Sequence, residues 1–429
     1  PAAEAALRDG VEQLPGKASL LLMLADTLLQ QGKLDETDET TSQIEELFGS
    51  TSPAVGLLQS RVLIARRRWS QARQRLEEIR PLAAGIVDLT RQIDFCLGQC
   101  YENLEEFDEQ LDVSRRILVD DPGSLQARVT QATALAAAGR TEDALAEFEM
   151  VAGALPTERL ASAPQVWYPL LQLRVTDQLK RPAGERDWSR IDDLLSKLEQ
   201  SPGVSAGQIA LLRADILSRK GESEAALDLL ERATSSADAE PSLWSALALL
   251  TLRERGPDAA REVMGRLPAD KREHSAMIPV RIQLAVQAPP EEVAREVAAI
   301  EKTAADAAPD EGARLLAMLA GLQSELGNPV EAERLWRAAA ERQPDDLRSR
   351  TALLEIAMKS GDIEKATAAA AAIEAVAGPT SARSLVAQAG VRIMQVRQAQ
   401  ERKELETGQV DLSEKEKRDR KSTRLKSSH

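Results

Sequence analysis

The sequence predicts an all-α protein built as a stack of repeated helix pairs, and three observations lead to this prediction. The chain has 429 residues and is 43% hydrophobic but only 3% aromatic. It is rich in Ala, Leu, Glu, Arg and Gln, which favour helices, and poor in the clusters of Val, Ile and Thr that strands prefer. The third observation is self-similarity at a fixed period, which is typical of solenoids.

The period is 34 residues. Residues 327–332 (GNPVEA) recur as residues 361–366 (GDIEKA), and Pro122 and Pro156 show the same separation. The same spacing, applied along the chain, predicts about ten repeats. Their turns are expected near Gly32, Arg67, Glu105, Gly139, Arg186, Gly221, Gly256, Pro289, Gly327 and Gly361.

Two series of residues repeat one pattern of small, large, glycine and aromatic positions. The first is Ala132, Leu135, Gly139, Ala144, Phe148 and Pro156; the second is Ala320, Gly327, Ala332, Trp336, Ala339 and Pro344. This pattern, with Leu97-Gly98-x-x-Tyr101, resembles the tetratricopeptide repeat of bacterial multi-repeat proteins. The resemblance implies a right-handed α-solenoid of antiparallel helix hairpins, whose small residues let neighbouring helices approach closely.

The predicted solenoid spans residues 17–380, with an insertion around 168–184. We expect residues 1–16 to be the second helix of a truncated repeat and residues 381–406 to form a capping helix or the first helix of another repeat. Residues 407–429 are charged and predict a disordered tail. Within them, 419–429 resemble a translated sequencing adapter, apart from Lys426. Arg outnumbers Lys 41 to 14, which favours a GC-rich bacterial source.

The two cysteines, Cys96 and Cys100, are predicted to be packing residues. Residues four apart on a helix have Cβ atoms about 5–6 Å apart, which is too far for a disulfide. A structural zinc site needs about four Cys or His ligands, and the nearest histidine along the chain is His274. We expect His274 to be an exposed residue near a helix start.

Composition and motifs argue against several classes of function. The net charge of −14 disfavours nucleic-acid binding, and no apolar run is long enough to cross a membrane. Residues 10–17 (GVEQLPGK) depart from a phosphate-binding loop in spacing and in the residue that follows. The run 66–68 (RRR) is followed by Trp69, which the resemblance assigns to packing. We therefore predict no cofactor, no metal site and no catalytic residue.

The resemblance implies that a protein or peptide partner binds the concave face, which the first helices of the pairs line. The candidate contact residues are Phe95, Gln99, Asn103, Gln126, Val129, Thr133, Asp215, Arg219, Arg314, Arg348, Thr351 and Glu355. The leading hypothesis is a non-catalytic scaffold. Two alternatives stay open: the substrate-recognition arm of a larger enzyme, and a bacterial envelope component of export or exopolysaccharide assembly. The compartment, cytoplasm or periplasm, is also left open.

Overall fold

The computed structural model describes residues 2–14, 16–201, 203–236, 238–379 and 381–406, and every regular element in these ranges is helical. The tail predicted at 407–429, including 419–429, lies outside the described residues. The α-helices are α1 (Ala2–Gln13), α2 (Ala18–Gln30), α3 (Leu34–Phe48), α4 (Pro53–Ala65), α5 (Trp69–Ile79), α6 (Val87–Leu104), α7 (Phe107–Asp120), α8 (Leu125–Ala137), α9 (Thr141–Ala154), α10 (Thr157–Ala161), α11 (Pro164–Lys180), α12 (Ser189–Glu199), α13 (Ala206–Lys220), α14 (Ser223–Ala233), α15 (Pro241–Arg255), α16 (Pro257–Arg266), α17 (Ala269–Arg272), α18 (Ile278–Ala285), α19 (Pro290–Asp306), α20 (Pro309–Glu325), α21 (Pro329–Arg342), α22 (Leu347–Ser360), α23 (Ile363–Ala377) and α24 (Ala382–Glu406).

The helices that follow α1 are arranged as a series of antiparallel pairs, each packed on the next. In the described residues the pairs are α2/α3, α4/α5, α6/α7, α8/α9, α11/α12, α13/α14, α15/α16, α18/α19, α20/α21 and α22/α23. The short helices α10 and α17 lie between pairs, and α24 packs on α23. The stretch predicted as an insertion, 168–184, forms most of α11 and part of the connection to α12. The prediction of an all-α solenoid is confirmed.

The turns within the pairs lie where the 34-residue spacing predicts them. Eight of the ten predicted positions have a left-handed φ, between 56° and 88°. At Gly221, for example, φ is 86°, and the next amide, that of Glu222, donates a 2.9 Å hydrogen bond to the Leu217 carbonyl. Glycine reaches this conformation at little cost and ends the first helix of the pair. Arg186 and Pro289 differ, with φ of −76° and −59°, because longer connections replace the tight turn there.

The apolar core is divided into clusters between neighbouring pairs. The small residues predicted to allow close approach are buried: Ala25, Ala132 and Ala320 are each 0% exposed. At Gly98 on α6, an added Cβ would lie 3.3 Å from Cγ2 of Thr130 on α8. Neighbouring first helices therefore approach so closely that a larger residue at these positions would push the pairs apart.

Cys96 and Cys100 lie on α6 and are unbridged, as predicted. Cys100 is completely buried, whereas Cys96 is half-buried beside the same apolar cluster. Burial raises the pKa of the Cys96 thiol to about 11 and also raises the pKa of Cys100. Both side chains therefore remain neutral thiols near pH 7 and behave as small hydrophobic packing residues.

The pair α18/α19 is the most irregular. Pro279 lies in the first turn of α18, where its missing N–H costs no helical hydrogen bond. Helix α18 has only 8 residues, whereas its neighbours α15 and α20 have 15 and 17. The short first helix leaves a recess between α15 and α20, which forms part of the surface described below.

Replacing Ala132 by Leu should destabilise the protein by about 1–3 kcal/mol, because the larger side chain has no space between the helices. Ala132 is 0% exposed on α8. Gln126→Leu is the matched control, since Gln126 is exposed on the same helix. Thermal unfolding followed by circular dichroism compares the two variants. Equal melting temperatures would contradict the packing described here.

Candidate functional site

Two adjoining hollows with apolar lining lie along the first helices of four successive pairs, α13, α15, α18 and α20. One hollow of about 350 Å³ lies between α13 and α15, and a second of about 540 Å³ lies among α15, α18 and α20. Both are lined by Leu249 and Arg253 of α15, so the two hollows adjoin along this helix, and we call them together the first-helix groove. Its other lining residues are Leu211, Ala214, Asp215, Ser218, Leu230, Ala246, Leu250, Leu252, Pro279, Ile282, Gln283, Met318, Gly321, Leu322 and Glu325.

Helical spacing brings these side chains to one face. On α15, Leu249 follows Ala246 by three residues and precedes Leu252 and Arg253 by three and four, so these side chains share one side of the helix. The sequence of α15, PSLWSALALLTLRER, is apolar around most of its circumference. One part of that surface packs against neighbouring helices, and Leu249 and Leu252 remain half-buried in the groove.

Two of the three charged side chains that line the groove, Asp215 and Arg253, form local pairs. Asp215 accepts a 2.9 Å ion pair from Arg219 one turn along α13. Arg253 pairs with Glu254 at 2.8 Å and donates to the Ser218 hydroxyl at 2.5 Å. These pairs leave the floor of the groove apolar, a combination that suits the apolar side chains of a partner.

The residues predicted to contact a partner fall into three groups in the structure. Asp215 lines the first-helix groove, and Arg219 pairs with it without lining the groove. Asn103 of α6 and Arg348 of α22 line a separate hollow of about 350 Å³, although they are far apart in sequence. The other predicted contact residues line neither the first-helix groove nor this hollow: they are Phe95, Gln99, Gln126, Val129, Thr133, Arg314, Thr351 and Glu355.

Local contacts explain several of these positions. Phe95 and Val129 are half-buried and pack against core clusters. The hydroxyl of Thr133 donates to the Val129 carbonyl at 3.0 Å, and that of Thr351 donates to the Leu347 carbonyl at 2.7 Å. The two threonine hydroxyl groups are therefore already hydrogen-bonded within their own helices.

Sequence reasoning missed the apolar lining of the groove, above all Leu249, Ile282 and Met318. A signal was present, because α15 carries more apolar residues than one buried face needs. The depth of the groove, however, depends on the shortness of α18, which the 34-residue pattern did not reveal.

No cluster of metal-binding side chains lies beside the groove in the part of the chain that the structure describes. In the described ranges, no group of three or more His, Cys, Asp or Glu side chains is placed to hold a metal ion. His274 is exposed, and its Nδ1 accepts a 3.1 Å hydrogen bond from the Ala276 amide, as suits the start of a short 3-10 helix. None of the helices described is long and apolar enough to cross a bilayer.

A third recess, of about 690 Å³, separates the turn between α6 and α7 from the end of α23 and the start of α24. One of its perturbed groups is Glu106, whose side chain is 10% exposed and forms an ion pair with Arg73. The pKa of Glu106 is raised to about 7, chiefly by burial; nearby Arg73 opposes the rise, and the carboxylates of Glu109 and Glu77 contribute to it. The carboxyl therefore binds a proton more tightly in the folded protein than in the unfolded chain.

This pKa shift predicts a pH-dependent stability. A carboxyl whose pKa rises on folding, here from 4.5 to about 7, favours the fold when protonated, so its contribution is lost as pH rises through about 7. Glu106→Gln should flatten the dependence of the unfolding free energy on pH between about 5 and 7.5. Urea titrations across this range measure the change. The matched control is Asp112→Asn, which removes an exposed carboxylate on α7; a slope unchanged by Glu106→Gln would contradict the prediction.

Comparison with known proteins identifies the repeat. A tetratricopeptide repeat family model matches residues 317–382, which include α21 and α22. A search of curated proteins gives no match. Among solved structures, a tetratricopeptide repeat protein from Parabacteroides merdae is 16% identical, with a TM-score of 0.40 over 58% of this chain and 91% of that one. A structure of Naa15/Naa10 bound to HypK-THB is 14% identical, with a TM-score of 0.33 over 94% of this chain and 64% of the matched one. The family match shows tetratricopeptide repeats at residues 317–382, and the helix pairs before them have the same antiparallel arrangement.

Proposed function

We propose that this protein is a non-catalytic scaffold that binds an extended peptide segment of a partner protein in the first-helix groove. The observation that carries the proposal is that two apolar hollows adjoin at α15 and together span α13, α15, α18 and α20. Stacked helix pairs present such extended surfaces to partners, and tetratricopeptide repeats serve protein interaction in general.

The dimensions of the groove suit a peptide. It crosses three boundaries between successive first helices, each about 8–10 Å wide, and so extends over roughly 25–30 Å. An extended chain advances about 3.3–3.6 Å per residue, so about eight residues would fill it. A segment of this length can place several alternate side chains on an apolar floor.

The chemistry of the lining suggests what the segment carries. The half-buried Leu249, Leu252 and Met318 offer apolar contacts, and methionine adapts well to differently shaped side chains. Glu325 and Arg253 lie at the rim, where polar groups of a peptide backbone would lie. We expect a partner segment with two or three apolar anchors separated by polar residues.

The chain offers a substitution that blocks the groove without disturbing its helices. Gly321 lies in the lining of the groove on α20, and an added Cβ would meet no atom within 4 Å. Gly321→Trp would place a large side chain in the open space, and helices tolerate Trp better than Gly. Gly153→Trp is the matched control, because Gly153 is also helical, has equally free space and lies on α9 outside the groove.

Peptides selected against the full chain from a random 12-residue phage library would supply the ligand. Fluorescence anisotropy should show that Gly321→Trp weakens the selected peptides at least tenfold, or about 1.4 kcal/mol, while Gly153→Trp leaves affinity within about twofold. Equal affinities for the two variants would contradict the proposal, as would a selection that yields no binding peptide.

A further inference from the structure

Two turns depart from the glycine used elsewhere in the solenoid. Arg67 and Glu105 have φ of 56° and 59°, and they are the two non-glycine residues with a left-handed φ in the described chain. At the corresponding position six other turns have glycine: Gly32, Gly139, Gly221, Gly256, Gly327 and Gly361. A side chain in this conformation carries a steric cost, and such strain is kept where the surrounding structure requires it.

Both side chains reach the far end of the solenoid. The Arg67 guanidinium lies 2.5 Å from a carboxylate oxygen of Asp310, in the first turn of α20. Glu105 pairs with Arg383, near the start of α24. These contacts join the second and third pairs of the chain to its last helices, so the solenoid closes on itself.

A backbone contact accompanies the ion pairs. The amide of Ser70, in the first turn of α5, donates a 3.1 Å hydrogen bond to Oδ2 of Asp345, which is 275 residues away. An amide at this position has no acceptor within its own helix. A carboxylate just before α22 therefore caps α5.

Apolar packing completes the contact. Leu104, at the end of α6, is 2% exposed and belongs to a cluster with Leu347 and Leu354 of α22 and Ile373 of α23. Trp69 is half-buried between this cluster and the core cluster of its own pairs. A loose contact between two polar surfaces would not bury a leucine side chain in this way.

We propose that the contacts of Arg67, Glu105, Ser70 and Leu104 hold the solenoid closed against α20, α22 and α24. We call this contact the closure seam. The strained turns are kept because glycine could not supply the two charged side chains that cross it. The seam fixes the curvature of the first-helix face and constitutes a conformational device beyond the proposed binding function.

The chemistry of the seam also makes it able to open. Arg67 and Asp310 are each 47% exposed, and Arg383 and Glu105 are 36% and 35% exposed, so salt screens both pairs. The apolar cluster around Leu104 is small beside the packing between neighbouring pairs. We therefore expect the seam to open before any helix pair unfolds.

The test combines two double variants of the full chain. Arg67→Gly with Glu105→Gly removes the crossing side chains and restores the glycine of the other turns. Asp310→Ala with Arg383→Ala removes the opposite partners and leaves both turns unchanged. The control, Arg66→Ala, loses ion pairs of similar exposure with Asp35 and Asp38, which lie within neighbouring pairs and do not cross the seam.

Small-angle X-ray scattering at low salt measures the maximum dimension, and residue-resolved hydrogen exchange measures protection of the Ser70 amide. Both double variants should have a larger maximum dimension and at least tenfold faster Ser70 exchange, with unchanged helical circular dichroism. Arg66→Ala should match the wild type. If both double variants keep the wild-type dimension and Ser70 protection, the proposal is overturned, and Arg67 and Glu105 serve only as turn residues. Neither readout uses a ligand, so failure here is separate from failure of the binding proposal.

Discussion

The structure depends on one constraint: a helix pair of about 30 residues cannot bury enough apolar surface alone to offset the entropy lost on ordering it. Each pair must therefore use both of its faces against neighbours. Completely buried alanines such as Ala25, Ala132 and Ala320 let the helices approach closely enough to do so. The core is consequently a line of clusters between pairs instead of one central core.

This arrangement explains where a binding surface can arise. Regular pairs fill the space between successive first helices, and an irregular pair leaves some of it open. The eight-residue α18 is such an irregularity, and the apolar residues of α15 and α20 on either side of it line the deeper hollow. The first-helix groove therefore follows from a local departure from the repeat, on a framework that the other pairs keep rigid.

The repeat pattern and the groove differ in how far the sequence predicts them. The 34-residue spacing located eight left-handed turns, including the unusual ones at Arg67 and Glu105, because a tight helix turn needs a particular backbone conformation at a fixed place. Among the residues predicted to contact a partner, Asp215 lines the groove; Leu249 and Met318 also line it but were not predicted, because their exposure depends on the length of a neighbouring helix. The contact of Ser70 with Asp345 depends on small rotations summed over several pairs, which no local pattern encodes.

The central claim is that partners bind on the first helices of the central pairs. The most direct measurement is a hydrogen-exchange footprint of a bound, selected peptide on the full chain. If partners bind there, slowed exchange will be concentrated in α13, α15, α18 and α20. Slowed exchange concentrated instead in the second helices α14, α16, α19 and α21 would contradict it, since these helices lie largely outside the groove.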